Sequence, residues 1–327
     1  MKAVVIAKAG GPEVLELREV PAPQPGVHEI LVRIRAAGIN RADILQRMGH
    51  YPPPPGAVPD VPGLEYAGEV AELGVGASAW KVGDRVMGLI PAGGYAELAA
   101  VNEAVAIRVP AGWAFEAAAA VPEAFITAHD ALFGQMGLRA GESVLIQAVG
   151  SGVGTAAVQL AKAFGAQTLG TSRTPAKLAR ARGLGLDVAI DSSREDVAEV
   201  VKRKTEGRGV DVVLDLVGGP ALAGSIAALA RGGRMIVVGL TGGRSAPIDL
   251  GAVLSKRLTI VGTVLRARTL EEKIAVTADF ARQVLPLLEA GMVHPVLEQS
   301  YSMADAPAAH RRLESDAVFG KLVLRWD

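Results

Sequence analysis

The stretch QAVGSGVGTAAVQLAKAFGA, residues 147 to 166, has the residue types and spacing to hold a phosphate. The run Gly150, Ser151, Gly152, Val153 and Gly154 directly follows an apolar, strand-like segment and opens an amphipathic helical one. Small residues there let a backbone pass close to a pyrophosphate, and the first helical turn offers unpaired N–H donors in a favourable dipole field. A lone glycine-rich string also suits an ordinary strand-to-helix turn. Here it begins a series of further strand and helix units, which favours a dinucleotide cradle.

The next chemical signal is Thr171-Ser172-Arg173-Thr174, with Lys177 one turn into the following helix. A site for NAD usually presents Asp or Glu to the ribose hydroxyls at the end of the second strand, whereas a site for NADP presents cations or hydroxyls to the 2′-phosphate. No carboxylate stands in this stretch. Two cations and a hydroxyl suit a phosphate, because a guanidinium–phosphate pair is strong and directional. The alternative is a solvated helix start carrying incidental basic residues.

Other chemistries are disfavoured by what is missing. The chain has no cysteine, which removes disulfides, thiol nucleophiles and thiolate metal sites together. His28, His50, His129, His294 and His310 stand at no close ligand spacing, so no metal centre is expected. Acidic and basic residues balance at 34 each, without the basic block of a nucleic-acid binder. The first residues, MKAVVIAKAGGPEVLELREV, lack the pattern of a signal peptide, and no apolar run reaches the roughly 20 residues of a membrane span. A cytoplasmic protein is expected.

The elements that must position these residues fall into two kinds. Through about residue 120, short apolar or alternating runs (Ala3–Ile6, Glu29–Arg35, Leu64–Leu73, Arg85–Leu89, Tyr95–Val101, Ala104–Val109) are separated by clusters rich in Gly and Pro, the pattern of a β-rich domain. From about Glu123, strands alternate with helices: 143–148, 167–171, 187–190, 210–217, 233–240 and 257–264 read as six parallel strands of a complete dinucleotide fold. A helical run after Arg266 precedes two more strand-like segments, Val296–Met303 and Lys321–Leu324, which rejoin the first domain. The expected architecture is α/β, with domains over 1–122 and 123–265 and a segment 266–327 completing the first.

The order NRADILQRMGHYPPPPG, PGLEYAGEV, WKVGDRVMGL, GGYAE, PEAFITAHDAL, GSGVGTAAVQLA and GTVLRARTLEEK resembles the zinc-free quinone oxidoreductase branch of the medium-chain dehydrogenase/reductase superfamily. It is especially similar to the p53-inducible, zeta-crystallin-related members, and the resemblance covers essentially the whole chain. It implies a GroES-like catalytic domain, a Rossmann doubly wound parallel sheet, and an active cleft at their junction. It also implies NADPH as hydride donor, with NADH weaker, a quinone as acceptor, and a homodimer through the apolar last Rossmann strand. Zinc-dependent relatives carry Gly-His-Glu where this chain has Gly63-Leu64-Glu65. Without a Lewis acid the acceptor must already be electrophilic, as a quinone or conjugated enone is.

Hydride transfer asks for donors where charge develops on the acceptor oxygen, and Asn40 and Tyr51 are the polar candidates. Asn40 equally suits a turn or helix cap, Tyr51 a proline-rich surface loop, and Asp43 reads as a helix-start carboxylate. The resemblance brings Thr127 close to the nicotinamide, although an ordinary helix Thr bonds a backbone carbonyl. Gly239, Leu240 and Thr241 end the fifth strand at the carboxyl edge, where ligands bind. Gly262, Thr263 and Arg266 resemble the family's second cofactor segment. Family members commonly place a Tyr where this chain has Ser192, which donates a hydrogen bond but cannot stack. Two other functions fit the same sequence: an NADPH-dependent enone or alkenal double-bond reductase, and a non-enzymatic nucleotide-binding protein.

Overall fold

A computed structural model describes residues 1–58 and 60–326. The chain forms two compact units, one of 1–126, 265–291 and 295–327, the other of 127–264 and 292–294. Thr127 therefore opens the second unit, and Arg266 belongs to the first.

The second unit is built on six parallel strands in the spatial order Val188–Asp191, Gln167–Ser172, Ser143–Ile146, Val210–Asp215, Leu229–Val237 and Thr259–Gly262. All six expected strands are present, and their order is that of the Rossmann fold. The order reverses between Ser143–Ile146 and Val210–Asp215, so the glycine-rich turn after Ser143–Ile146 opens at the switch point of the sheet. Apolar side chains from the strands and helices, among them Leu145, Leu169, Ile190, Val201, Val213 and Met235, bury together as the core. Burial on both faces explains why these strands read as continuous apolar runs. Thr259–Gly262 lies at the sheet edge and is only partly covered.

The first unit centres on the long strand Glu29–Ile39. It pairs antiparallel with Glu65–Leu73 on one side and Lys321–Arg325 on the other, and its first half also pairs with Leu98–Asn102. Leu297–Ser302 extends the sheet beyond Lys321–Arg325, while Arg85–Leu89 and Ala106–Arg108 extend it beyond Glu65–Leu73. The C-terminal strands thus sit in the same sheet as the N-terminal ones. A separate hairpin joins Lys2–Ile6 to Leu15–Glu19. The second of these strands has one buried residue in five and is not among the runs read from the sequence.

Candidate active site

In the first unit, polar side chains gather where the central strand Glu29–Ile39 runs into the helix Arg41–Arg47. Asn40 occupies the N-cap position, with the Asp43 carboxylate reaching back to its backbone N–H at 2.7 Å. That carboxylate also accepts from Gly63 N and the Tyr95 hydroxyl, so Asp43 serves the helix start and the adjoining loops. The Asn40 amide accepts from Lys321 Nζ through Oδ1 at 2.6 Å and donates to Glu65 Oε1 through Nδ2 at 2.8 Å. Lys321 Nζ donates also to Ile39 O and Glu65 Oε1. The other Glu65 oxygen accepts from the backbone N–H of Glu123, in the π-helical turn Pro122–Ile126.

Arg266 completes the cluster from a different segment. Its guanidinium donates to Pro91 O, Tyr51 O and Gln46 Oε1 and lies 4.9 Å from the centre of the Tyr51 ring. The residue expected alongside Gly262 and Thr263 therefore fastens the Tyr51 loop. Tyr51 is half-buried and directs no side-chain hydrogen bond to the described residues, leaving its hydroxyl available.

Burial raises the acids of this cluster. The Asp43 carboxyl is pushed up to about 6 by desolvation. Glu123 rises to about 8 through desolvation and the neighbouring Glu65 charge, against the opposing pull of Lys321 and Arg266. The Tyr51 hydroxyl is raised by burial, with Glu123 adding to the shift and Arg266 opposing it. Beneath the helix, buried His310 lies between Tyr95 and Arg47, and burial with the Arg47 charge drives it down to about 3.

In the second unit, Ser151 caps the helix Gly152–Ala163 and accepts from Gly154 N at 3.0 Å. The first-turn N–H groups of Gly152 and Val153 have no intrahelical acceptor. A side chain on Gly154 would bring its Cβ within 2.4 Å of Ala148 O, so the tight turn demands glycine. The Lys177 stem passes over Gly150. Ser172 ends its strand with its hydroxyl accepting from Thr174 N, and Ser192 N bonds back to Ser172 O. Arg173 is exposed beside them. The structure thus gathers the glycine turn, Ser172, Arg173, Lys177 and Ser192 at one end of the sheet.

Gly239 and Thr241 pack on the extension of Val210–Asp215, through Gly239 N to Asp215 O and Thr241 Oγ1 to Leu216 O, while Leu240 is about half exposed. Gly262 lies in the edge strand, and Thr263 accepts from Gln135. Thr127 is buried at the head of the short helix Thr127–His129.

Three features escaped the sequence: the partners of Lys321 and of the expected Arg266, the place of Glu123, and the carboxylate of Asp191. Lys321 and Arg266 meet their partners across separations of 256 and 220 residues, beyond any local pattern. Glu123 looked like an ordinary residue at a domain start. Asp191, paired in register with Ser172, holds a carboxylate near the basic tip, and hydrogen bonds from Ser193 keep it below the usual range. Only the step to the neighbouring strand brings it there.

The position filled by His in zinc-dependent relatives is Leu64, fully packed at 3% exposure. Among the described residues no three His, Asp or Glu side chains group to hold a metal ion. No helix there is long and apolar enough to cross a membrane.

The alcohol dehydrogenase GroES-like domain matches residues 26–111, and the zinc-binding dehydrogenase domain matches 152–282. The chain is 36% identical to a quinone oxidoreductase of Pseudomonas aeruginosa over 99% of both chains. It belongs to the quinone oxidoreductases of the medium-chain dehydrogenase/reductase superfamily. Among solved structures it resembles the Escherichia coli quinone oxidoreductase complexed with NADPH, with 32% identity, a TM-score of 0.89, and coverage of 99% of this chain and 100% of that one. It is also 40% identical over 306 residues to erythronolide synthase of Saccharopolyspora erythraea, matching 90% of this chain and 8% of that protein. The family resemblance read from the motifs thus holds over the full length.

Proposed function

We propose that the protein is an NADPH-dependent quinone oxidoreductase that works by direct hydride transfer without a metal. The observation that carries this reading is the full-length kinship to a quinone oxidoreductase whose structure was solved with NADPH. The local chemistry agrees. The turn that Gly154 keeps open fits a pyrophosphate, and Ser172, Arg173, Lys177 and Ser192 supply donors and cations suited to a 2′-phosphate. Gly239–Thr241, Gly262 and Thr263 would border the remainder of the cofactor, with Thr127 near its reactive end. NADPH, when bound, supplies a hydride.

The residues of the first unit handle the acceptor. The Tyr51 hydroxyl donates toward the oxygen that gains charge, stabilising it where water is excluded. Arg266 holds the Tyr51 loop in place, and the Asn40–Lys321–Glu65 group fixes the strand end from which the helix Arg41–Arg47 starts. The test is stopped-flow oxidation of NADPH and NADH against a panel of quinones and alkenals. Rapid turnover with quinones and NADPH supports the assignment. Turnover confined to alkenals would replace it with double-bond reduction, and tight NADPH binding without turnover on any acceptor would replace it with a binding function.

We further propose that two copies pair through the edge strand Thr259–Gly262. The neighbouring helix Leu250–Lys256 buries none of its residues, and Leu250, Leu254 and Val264 are 68%, 77% and 51% exposed. Exposed apolar side chains near an open sheet edge suit a second subunit.

A further inference from the structure

The polar groups around Glu65 are committed to one another, with two exceptions. Lys321 Nζ donates to three acceptors, Ile39 O, Asn40 Oδ1 and Glu65 Oε1. Arg266 uses Nε, Nη1 and Nη2 on Pro91, Tyr51 and Gln46. Glu65 and Asp43 each accept on both oxygens. In this cluster only the Tyr51 hydroxyl and the Glu123 carboxyl take no hydrogen-bond partner among the described residues. Glu123 is nevertheless held firmly, since its backbone N–H is anchored on Glu65 Oε2 at 2.8 Å. It sits in a π-type turn, a rare geometry that is frequent at functional sites.

We propose that Glu123 is the proton donor of the reaction, giving its carboxyl proton to the acceptor oxygen that hydride transfer leaves negatively charged. The proposal rests on the quinone reductase function above. A quinone takes up two electrons and two protons to become a hydroquinone. The hydride brings both electrons and one proton. The second proton comes from Glu123: its O–H bond breaks, an O–H bond forms on the acceptor, and the carboxylate regains a proton from solvent before the next turnover. The sum is NADPH, quinone and one proton giving NADP⁺ and hydroquinone.

The charges facing Glu123 fit this duty. Burial, Glu65 and Asp43 favour its acid form, so the proton is present at neutral pH, while Lys321 and Arg266 favour the carboxylate left after donation. A donor titrating near working pH combines a filled acid form with a ready transfer. Tyr51 suits the complementary task of orienting the oxygen, because its hydroxyl is raised from an already weakly acidic value.

Glu123→Gln in the full-length protein tests the assignment, with Glu123→Asp as the conservative variant. Wild-type quinone reduction is expected to decline above about pH 8. Glu123→Gln should lose at least about 100-fold in kcat at pH 7 and lose that pH dependence, with NADPH affinity by fluorescence titration unchanged. Glu123→Asp should restore part of the rate and a pH-dependent limb. Independently of turnover, infrared difference spectra of the wild type should show a protonated carboxyl band that disappears as pH rises through about 8 and is missing in Glu123→Gln. A wild-type rate and unchanged pH profile in Glu123→Gln, or no such band, overturns the donor role while leaving the quinone reductase function standing. A wild type that turns over no quinone overturns both.

Discussion

Lys321 Nζ lies 2.5 Å from Glu65 Oε1, with the two side chains 4% and 0% exposed. They belong to strands on opposite sides of Glu29–Ile39 and meet across Gly38, where a Cβ would come within 2.1 Å of the Glu65 oxygen. A buried pair of this kind ties three strands together through side chains as well as backbone. It also sets the floor under Asn40 and Glu123, which both bond to the same carboxylate.

Removing one partner strands the other's charge in the core. Lys321→Met is expected to destabilise the protein by about 3–5 kcal/mol in equilibrium urea unfolding. The double change Lys321→Met with Glu65→Leu should recover most of that loss, because an apolar pair of similar volume leaves no charge unpaired. A double variant no more stable than Lys321→Met alone would show that the pair matters for its geometry rather than its charge.

The basic tip of the second unit is expected to separate the two nicotinamide cofactors. Arg173→Ala combined with Lys177→Ala should raise the KM for NADPH by about 10- to 100-fold, the scale of one or two charge-assisted hydrogen bonds. The KM for NADH should change little. Steady-state kinetics with both cofactors measures this, and equal effects on both would remove the phosphate assignment. Ser192 and the nearby Asp191 carboxylate predict that the wild-type preference for NADPH is modest.

The contrast between these two sites explains what could be seen in the sequence. The glycine turn and Ser172, Arg173 and Lys177 lie within about thirty consecutive residues of one strand–helix–strand unit, so local spacing exposed them, and continuous apolar runs exposed all six parallel strands. The cluster of the first unit is assembled from Asn40, Glu65, Glu123, Arg266 and Lys321, brought together by antiparallel pairing over long separations. Asn40 could be seen as a cap or as an active-site amide, and it proves to stand at the cap position while its side chain serves the buried pair. No residue pattern announces a lysine whose partner is 256 positions away.

Stability should carry the mark of Glu123 in its pH dependence. Its folded-state value of about 8 lies above its ordinary 4.5, so the folded protein holds this proton more tightly than the unfolded chain. The associated stability is fully present below about pH 4.5 and is lost as pH rises through about 8. Glu123→Gln cannot ionise and should therefore gain on the wild type across that window, with the difference levelling off above it. Urea midpoints of both proteins between about pH 5 and 9 measure the divergence. Parallel curves would mean that the carboxyl ionises in the folded protein at its ordinary value.

The open edge of the parallel sheet makes the last prediction. Thr259–Gly262 pairs with Leu229–Val237 on one side only, and the helix Leu250–Lys256 beside it turns Leu250 and Leu254 outward. An apolar edge left bare invites uncontrolled strand pairing, whereas a second copy placed against it satisfies the backbone and covers the leucines together. The wild type is expected to run as a dimer in light scattering at micromolar concentration. Leu254→Glu puts a charge on a side chain that no contact within the chain buries, so the fold should tolerate it while the dimer dissociates. A wild type that is already monomeric, or a Leu254→Glu variant that keeps the dimer mass, would move the interface away from this edge.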